Sequence, residues 1–240
     1  MREHRKAART AGILYIIGTV AGVVTKLVVM PPVAGADDPL AASAQHSGMV
    51  VTGALLVLVM GLSLALVPVV LFPVLRRVDE RLAIGYLVMR GAVEAACYVL
   101  SALSWLLLLP LGQVMSAGPG TASPAGMRLG SLLAGTDDVG AVLALVFCLG
   151  GAMFYLLLYR SGIVPRWIAS WGLAAIPLYV AAFVLAMYGV IGAGSSELNL
   201  LVMPLAIQEM VLAVWLIARG FRPIADSPTS APRVTTPATA

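Results

Sequence analysis

The sequence predicts an all-α protein, a six-helix transmembrane bundle with its N- and C-termini in the cytoplasm. Three observations predict it. Six apolar stretches each approach the roughly 20 residues that a bilayer-spanning helix needs. Hydrophobic residues make up 60% of the 240 and charged residues 11%, against about 25% charged in a soluble domain. Lys and Arg, finally, gather on one side of the stretches they separate. With a mean hydropathy of +0.99, the bilayer is the chain's main solvent.

Each element follows from apolar runs and their punctuation. The first span is expected over 11–30 and ends at Pro31-Pro32, because proline lacks the donor that a helix interior needs. The second covers 47–72. The third covers 82–109 and is expected to stop at Pro110 for the same reason. Gly118-Pro119-Gly120 through Pro124 marks the longest connection, followed by a short interfacial helix over 125–135. Spans over 137–159, 166–190 and 198–218 complete the set. Residues 1–10 read as a basic cytoplasmic N-terminus and 11–222 as the transmembrane domain. The Pro/Ser/Thr-rich stretch 223–240 has almost nothing to bury and reads as a disordered cytoplasmic tail. The basic start, apolar run and Ala34-Gly35-Ala36 have the look of a secretory signal. The apolar part, however, exceeds the roughly 7 to 15 residues such a signal uses and holds Lys26, so a retained helix is expected.

Orientation comes from the loops. Arg2, Arg5, Lys6, Arg9, Arg76, Arg77, Arg81, Arg160, Arg166, Arg219, Arg222 and Arg233 fall on one side of an even-numbered bundle, and only Arg128 falls on the other. Twelve against one places both termini in the cytoplasm. Asp37, Asp38, Asp137, Asp138 and Glu197 lie opposite. Tyr159, Trp167, Trp171 and Trp215 sit near the cytoplasmic boundary, where an amphipathic ring is favoured. The net charge of +4 and pI near 9.3 come from clusters at helix ends, so the partner they suggest is the lipid bilayer and not nucleic acid.

Several segments carry a family likeness. Val146-Phe147-Cys148-Leu149-Gly150 is followed by Tyr155-Leu156-Leu157-Leu158-Tyr159-Arg160-Ser161-Gly162-Ile163-Val164-Pro165-Arg166-Trp167. Residues 9–15 read Arg-Thr-Ala-Gly-Ile-Leu-Tyr, and Glu209 precedes a Leu-Ala-Val-Trp-Leu run. With these the chain, up to about Arg222, resembles the bacterial family catalogued as domain of unknown function 4386. The Tyr-Arg-Ser-Gly-Ile-Val-Pro-Arg loop is the most distinctive part. The resemblance implies a polytopic bacterial membrane protein, placed in the cytoplasmic membrane, and brings no particular activity.

The informative residues are ionisable groups inside apolar spans. A charge at mid-bilayer costs about 2.5–3.5 kcal/mol on insertion scales, so it normally faces a partner or a wet cavity. Lys26, Arg90, Glu94 and Glu209 qualify. Arg90, Glu94, Cys97, Ser101 and Ser104 recur at helical spacing on the third span and should face the interior. At 1.5 Å per residue, Arg90 lies roughly 12 Å and Glu209 roughly 14 Å in from the cytoplasmic ends of their helices. An interhelical Arg90–Glu209 pair is therefore expected. Glu209 shares its face with Asn199, Val202, Ala206 and Ala213, small enough for another helix to approach. Gly12, Tyr15, Thr19, Gly22 and Lys26 form a stripe on the first span. Gly18 and Gly22 there make a small-xxx-small pattern, expected to pack within the chain. Lys26 extends its amine to the outer surface or is neutralised by Glu94 or Asp137-Asp138.

Bland readings stand beside these. Arg90, Glu94 and Glu209 form either a structural ion network that fixes helix register or a site for a substrate or proton. Asp137 and Asp138 open the fourth helix and read as a cap or outer acidic pair. Pro68, Pro177 and Pro204 fall inside spans, where prolines are ordinary. No cofactor or metal pattern is present. His4 and His46 lie outside the spans, which excludes a bis-histidine membrane haem within one chain. Cys97 and Cys148 lack ligand spacing and read as small buried hydrophobes. Two function classes remain. One is a non-enzymatic membrane protein that transports, binds or senses a small polar ligand or ion. The other is an intramembrane enzyme acting on a lipid or isoprenoid, with the carboxylates as acid and base. The first is favoured, because an arginine accompanies the carboxylates and no histidine or metal cluster does.

Overall fold

A computed structural model describes residues 2–116, 124–134, 139–192 and 195–222 of the chain. These residues are 88% helical with no strand, so almost every backbone donor and acceptor is satisfied within its own segment, as the bilayer core demands. In order the helices are α1 (Arg2–Val24), α2 (Pro31–Ala34), α3 (Pro39–Gln45), α4 (Ser47–Leu75), α5 (Glu80–Tyr86), α6 (Glu94–Ser116), α7 (Pro124–Ala134), α8 (Val139–Ser161), α9 (Arg166–Met187) and α10 (Ser196–Ala218). A π-helical turn, Leu87–Val93, joins α5 to α6 in one rod, and another, Thr25–Val29, extends α1. Among the described residues six helical stretches are long and apolar enough to cross a membrane: His4–Val29, Ser47–Leu75, Glu80–Val114, Gly140–Ser161, Arg166–Met187 and Ser196–Ala218. The protein is thus a multi-pass membrane protein built as a six-span helical bundle.

The spans close into a ring in chain order. α1 packs on α4, α4 on the α5–α6 rod, the rod on α8, α8 on α9 and α9 on α10, and α10 returns to α1. Glycines set several of these seams. A Cβ on Gly12 would stand 2.7 Å from the Ala213 carbonyl oxygen on α10, and one on Gly61 would stand 2.5 Å from Cβ of Tyr98 on α6. Gly18 and Gly22 both meet α4, at Leu64 and Met60, so the small-xxx-small pattern packs within the chain. Leu27, Leu55, Leu62, Leu100 and Leu200 point outward, where lipid covers them.

Several boundaries shift by two or three residues from the sequence expectation, and two differ by more. α1 begins at Arg2, since the basic N-terminal stretch continues the helix. Pro110 lies inside α6, which runs on to Ser116. Proline removes one donor, but α3 holds the segments on both sides of it in place. The Ser43 hydroxyl donates to the Leu108 carbonyl at 2.9 Å, and a Cβ on Gly112 would meet Ser43 Oγ at 2.6 Å. The expected interfacial helix is α7. It docks on α6 through Trp105 Nε1, which donates to the Ala134 carbonyl at 3.1 Å. Together α2, α3 and α7 cap one end around Met30, Val33, Leu40, Val50, Leu108 and Ala134.

The opposite end carries both ends of the helical bundle. Arg9 Nε donates to the Ile217 carbonyl at 3.3 Å. α8 leaves through Gly162, whose φ of 64° is a left-handed conformation that favours glycine. The Arg222 N–H donates to the Ile163 carbonyl at 2.8 Å, tying the chain after α10 to the α8–α9 loop.

Candidate functional site

The rod of the third span abandons α geometry at Leu87–Val93, where the Glu94 N–H donates to the Met89 carbonyl, a five-residue closure. Such turns widen the helix and re-aim side chains. Here both Arg90 and Glu94 end up inside the ring, 2% and 0% exposed. Arg90 Nε lies 3.2 Å from Glu94 Oε2, and its Nη2 lies 3.6 Å from Glu209 Oε1 on α10. Its guanidinium carbon stands 4.5 Å above the Phe147 ring of α8 and 6.0 Å from the Tyr15 ring of α1. Gly150 makes the room. A Cβ there would stand 2.7 Å from Arg90 Cγ. Four spans therefore converge on one guanidinium.

The packing around it is aromatic. Tyr86 stacks on Phe154 at 4.6 Å between centroids, Phe154 meets Tyr155 at 5.6 Å, and Phe147 meets Tyr179 at 5.3 Å. These rings exclude water, so the charges interact at low effective dielectric, where attraction and imbalance are both magnified. The two ion-pair distances exceed the about 2.7–2.9 Å of a tight charge-assisted hydrogen bond. Among the described residues none of the Arg90 guanidinium nitrogens has a hydrogen-bond partner. The cluster is held by charge and packing.

Its charges do not balance. One guanidinium faces two carboxylates, and among the described residues no second cation lies within ion-pair distance of either. Access is also unequal. The side chains of Arg90 and Glu94 are each 1% exposed, whereas that of Glu209 is 17% exposed. Along the same α10 face Asn199 and Ala206 are exposed and Val202 is half-buried, while Ala213 is buried against Gly12 of α1. The α1–α10 seam is thus closed in the half where α1 begins and α10 ends. Beyond it, the α10 face is accessible from Asn199 to Glu209.

Of the residues singled out in the sequence, the structure brings together Arg90, Glu94 and Glu209. It places Lys26 elsewhere, exposed in the Thr25–Val29 turn, with no carboxylate within ion-pair distance among the described residues. Asp137 and Asp138 lie outside the described residues. Cys148 is buried and Cys97 half-buried, both as free thiols. Sequence reasoning passed over Phe147 and Gln208. Gln208 is fully buried and its Nε2 donates to the Ile168 carbonyl at 3.0 Å, pinning α10 to α9 beside Glu209. An uncharged amide inside an apolar span was its signal. Phe147 had none, since a phenylalanine in such a run is indistinguishable from a lipid-facing one.

A family model described as Domain of unknown function (DUF4386) matches residues 10–220. No curated protein and no solved structure matches.

Proposed function

The chain belongs to the family of domain of unknown function 4386, and from that premise we propose that its interior binds a small cation at Glu209, in a non-enzymatic protein that transports or senses that cation. The observation that carries this reading is the charge count. Arg90 can compensate one carboxylate, and Glu94 is the nearer at 3.2 Å. A second carboxylate enclosed among tyrosines and phenylalanines is costly unless a positive charge joins it. Glu209, at 3.6 Å from Arg90 and the only member of the three with appreciable exposure, is where that charge arrives. A proton, an alkali cation or a small ammonium fits the requirement.

The enzyme alternative has less support. An acid and a base must reach one substrate, and Glu94 is sealed behind Arg90 at 1% exposure. The arrangement also suits alternating access. Close α1–α10 packing at Gly12 and Ala213 on one side of Glu209, with a partly exposed Glu209 side chain on the other, supports a site that opens toward one side at a time. In this reading the protein resides in a bacterial cytoplasmic membrane, with the Arg-rich end and both termini inside.

Liposome flux tests the reading. Wild-type protein reconstituted with an internal dye for pH or for the alkali cation should dissipate an imposed gradient, and Glu209→Gln should not. Cation binding without flux would make the protein a sensor. Equal behaviour of wild type and Glu209→Gln in both binding and flux would discard the proposal.

A further inference from the structure

A separate cleft lies at the end of the bundle where α1 begins and α10 ends. Pro165 occupies the N-cap position of α9 and offers no side-chain acceptor to its opening turn, so that turn presents uncapped polarity. In front of it is a cleft of about 670 Å³ whose lining includes Gly162, Pro165, Arg166, Trp167, Trp215 and Arg222. The cleft is built, not incidental. The Arg222 N–H is fastened to the Ile163 carbonyl at 2.8 Å, which brings the residues after α10 against the α8–α9 loop. Arg222 rests over the Trp215 ring at 5.9 Å, and Arg166 over the Tyr159 ring at 5.9 Å. Gly162 faces open space, with nothing within 4 Å of the position a Cβ would take.

Among the described residues the charges again do not balance, here with the opposite sign. Both arginines are exposed, and among the described residues no acidic residue lines the cleft and neither arginine has a carboxylate within ion-pair distance. The neighbouring Arg160, by contrast, is paired with Asp79 at 3.4 Å. Trp167 is 54% exposed beside Trp171, with ring centroids 6.4 Å apart, the kind of aromatic pair that settles at the level of lipid headgroups.

We propose that this cleft binds a phosphate group, clamped between Arg166 and Arg222 with the opening turn of α9 behind it. Planar guanidinium forks match phosphate oxygens, and an uncapped helix start favours an anion. The phosphate belongs either to an anionic phospholipid headgroup or to a soluble phosphate. Native mass spectrometry of the full chain, released from micelles doped with phosphatidylglycerol or phosphatidylcholine, reads the lipid source. Melting with inorganic phosphate against chloride reads the soluble one. In the lipid case one phosphatidylglycerol is retained per chain in preference to phosphatidylcholine and survives added phosphate. In the soluble case inorganic phosphate raises the melting temperature of the wild type and displaces the lipid. In either case the Arg166→Gln/Arg222→Gln variant should bind at least about tenfold more weakly, a difference easily resolved on the affinity scale. Arg166→Lys/Arg222→Lys keeps both charges and so controls for folding and insertion. It should stay as stable as the wild type and bind with intermediate affinity. Binding equal to wild type in the Gln and Lys variants, or no preference for phosphatidylglycerol and no response to phosphate in the wild type, overturns the proposal.

Discussion

Arg90 Nη2 on the third span lies 3.6 Å from Glu209 Oε1 on the sixth, while the Nε of the same guanidinium lies 3.2 Å from Glu94 Oε2 one turn along its own helix. One cation is shared between an intrahelical and an interhelical carboxylate. Removing the cation and removing one of the anions are therefore unequal changes, and that inequality governs the predictions about the core.

Arg90→Leu leaves two carboxylates facing each other in an apolar interior. Stranding a buried charge typically costs about 3–5 kcal/mol, so the variant should lose most of its folded yield in detergent, read by size-exclusion chromatography. Adding Glu94→Leu should restore more than adding Glu209→Leu, because Glu94 is sealed whereas Glu209 is 17% exposed. Restoration by Glu209→Leu alone would place the main partner across the helices instead.

Gly12→Ala should destabilise, because its Cβ would stand 2.7 Å from both the Ala213 carbonyl oxygen and Ile217 Cγ1. Overpacking of this kind costs about 1–3 kcal/mol. Gly151→Ala is the control. Its nearest contacts, at 3.7 and 3.8 Å, are ordinary, and a helical Gly→Ala change should gain about 0.5–1 kcal/mol. Thermal unfolding in nanodiscs should order the three as Gly151→Ala, wild type, Gly12→Ala; the reverse order would refute the α1–α10 seam.

In a background lacking Cys97 and Cys148, a cysteine at Asp37 should react with an impermeant thiol reagent in whole cells, and one at Glu80 should react only after lysis. Both positions are exposed and lie at opposite ends of the bundle. The opposite pattern would invert the orientation that the twelve-to-one distribution of Lys and Arg predicts.

The core cluster was legible because charge is rare and costly in apolar sequence. Arg90, Glu94 and Glu209 stood out individually, and equal depth along two helices suggested that Arg90 and Glu209 meet. Spacing placed Arg90 and Glu94 one turn apart on the same face, but it did not reveal the π turn at Leu87–Val93 or that Glu94 is the nearer carboxylate. Nor did it reveal the aromatic enclosure, since Phe147, Phe154 and Tyr155 look alike in sequence whether they face lipid or a guanidinium. Pro110 misled for a physical reason. Its cost is local, and the contacts of α3 with Leu108 and Gly112 outweigh it. Lys26 satisfied the same cost argument as the other three yet lies near a helix end, where a long side chain reaches the surface and needs no partner.

The most direct test of the central claim, that Glu209 holds a negative charge Arg90 does not cancel, is thermal unfolding of wild type and Glu209→Gln in nanodiscs, with and without Na⁺, K⁺, methylammonium or added protons. A ligand that binds only the folded state stabilises it by about 2.7 kcal/mol at a hundredfold excess over Kd. The account predicts that one of these cations raises the melting temperature of the wild type. Glu209→Gln, left with the balanced Arg90–Glu94 pair, should melt at or above the cation-bound wild type and respond to none of them. A Glu209→Gln variant that melts well below the wild type and keeps the same cation response would contradict it, leaving Arg90, Glu94 and Glu209 as a structural ion network.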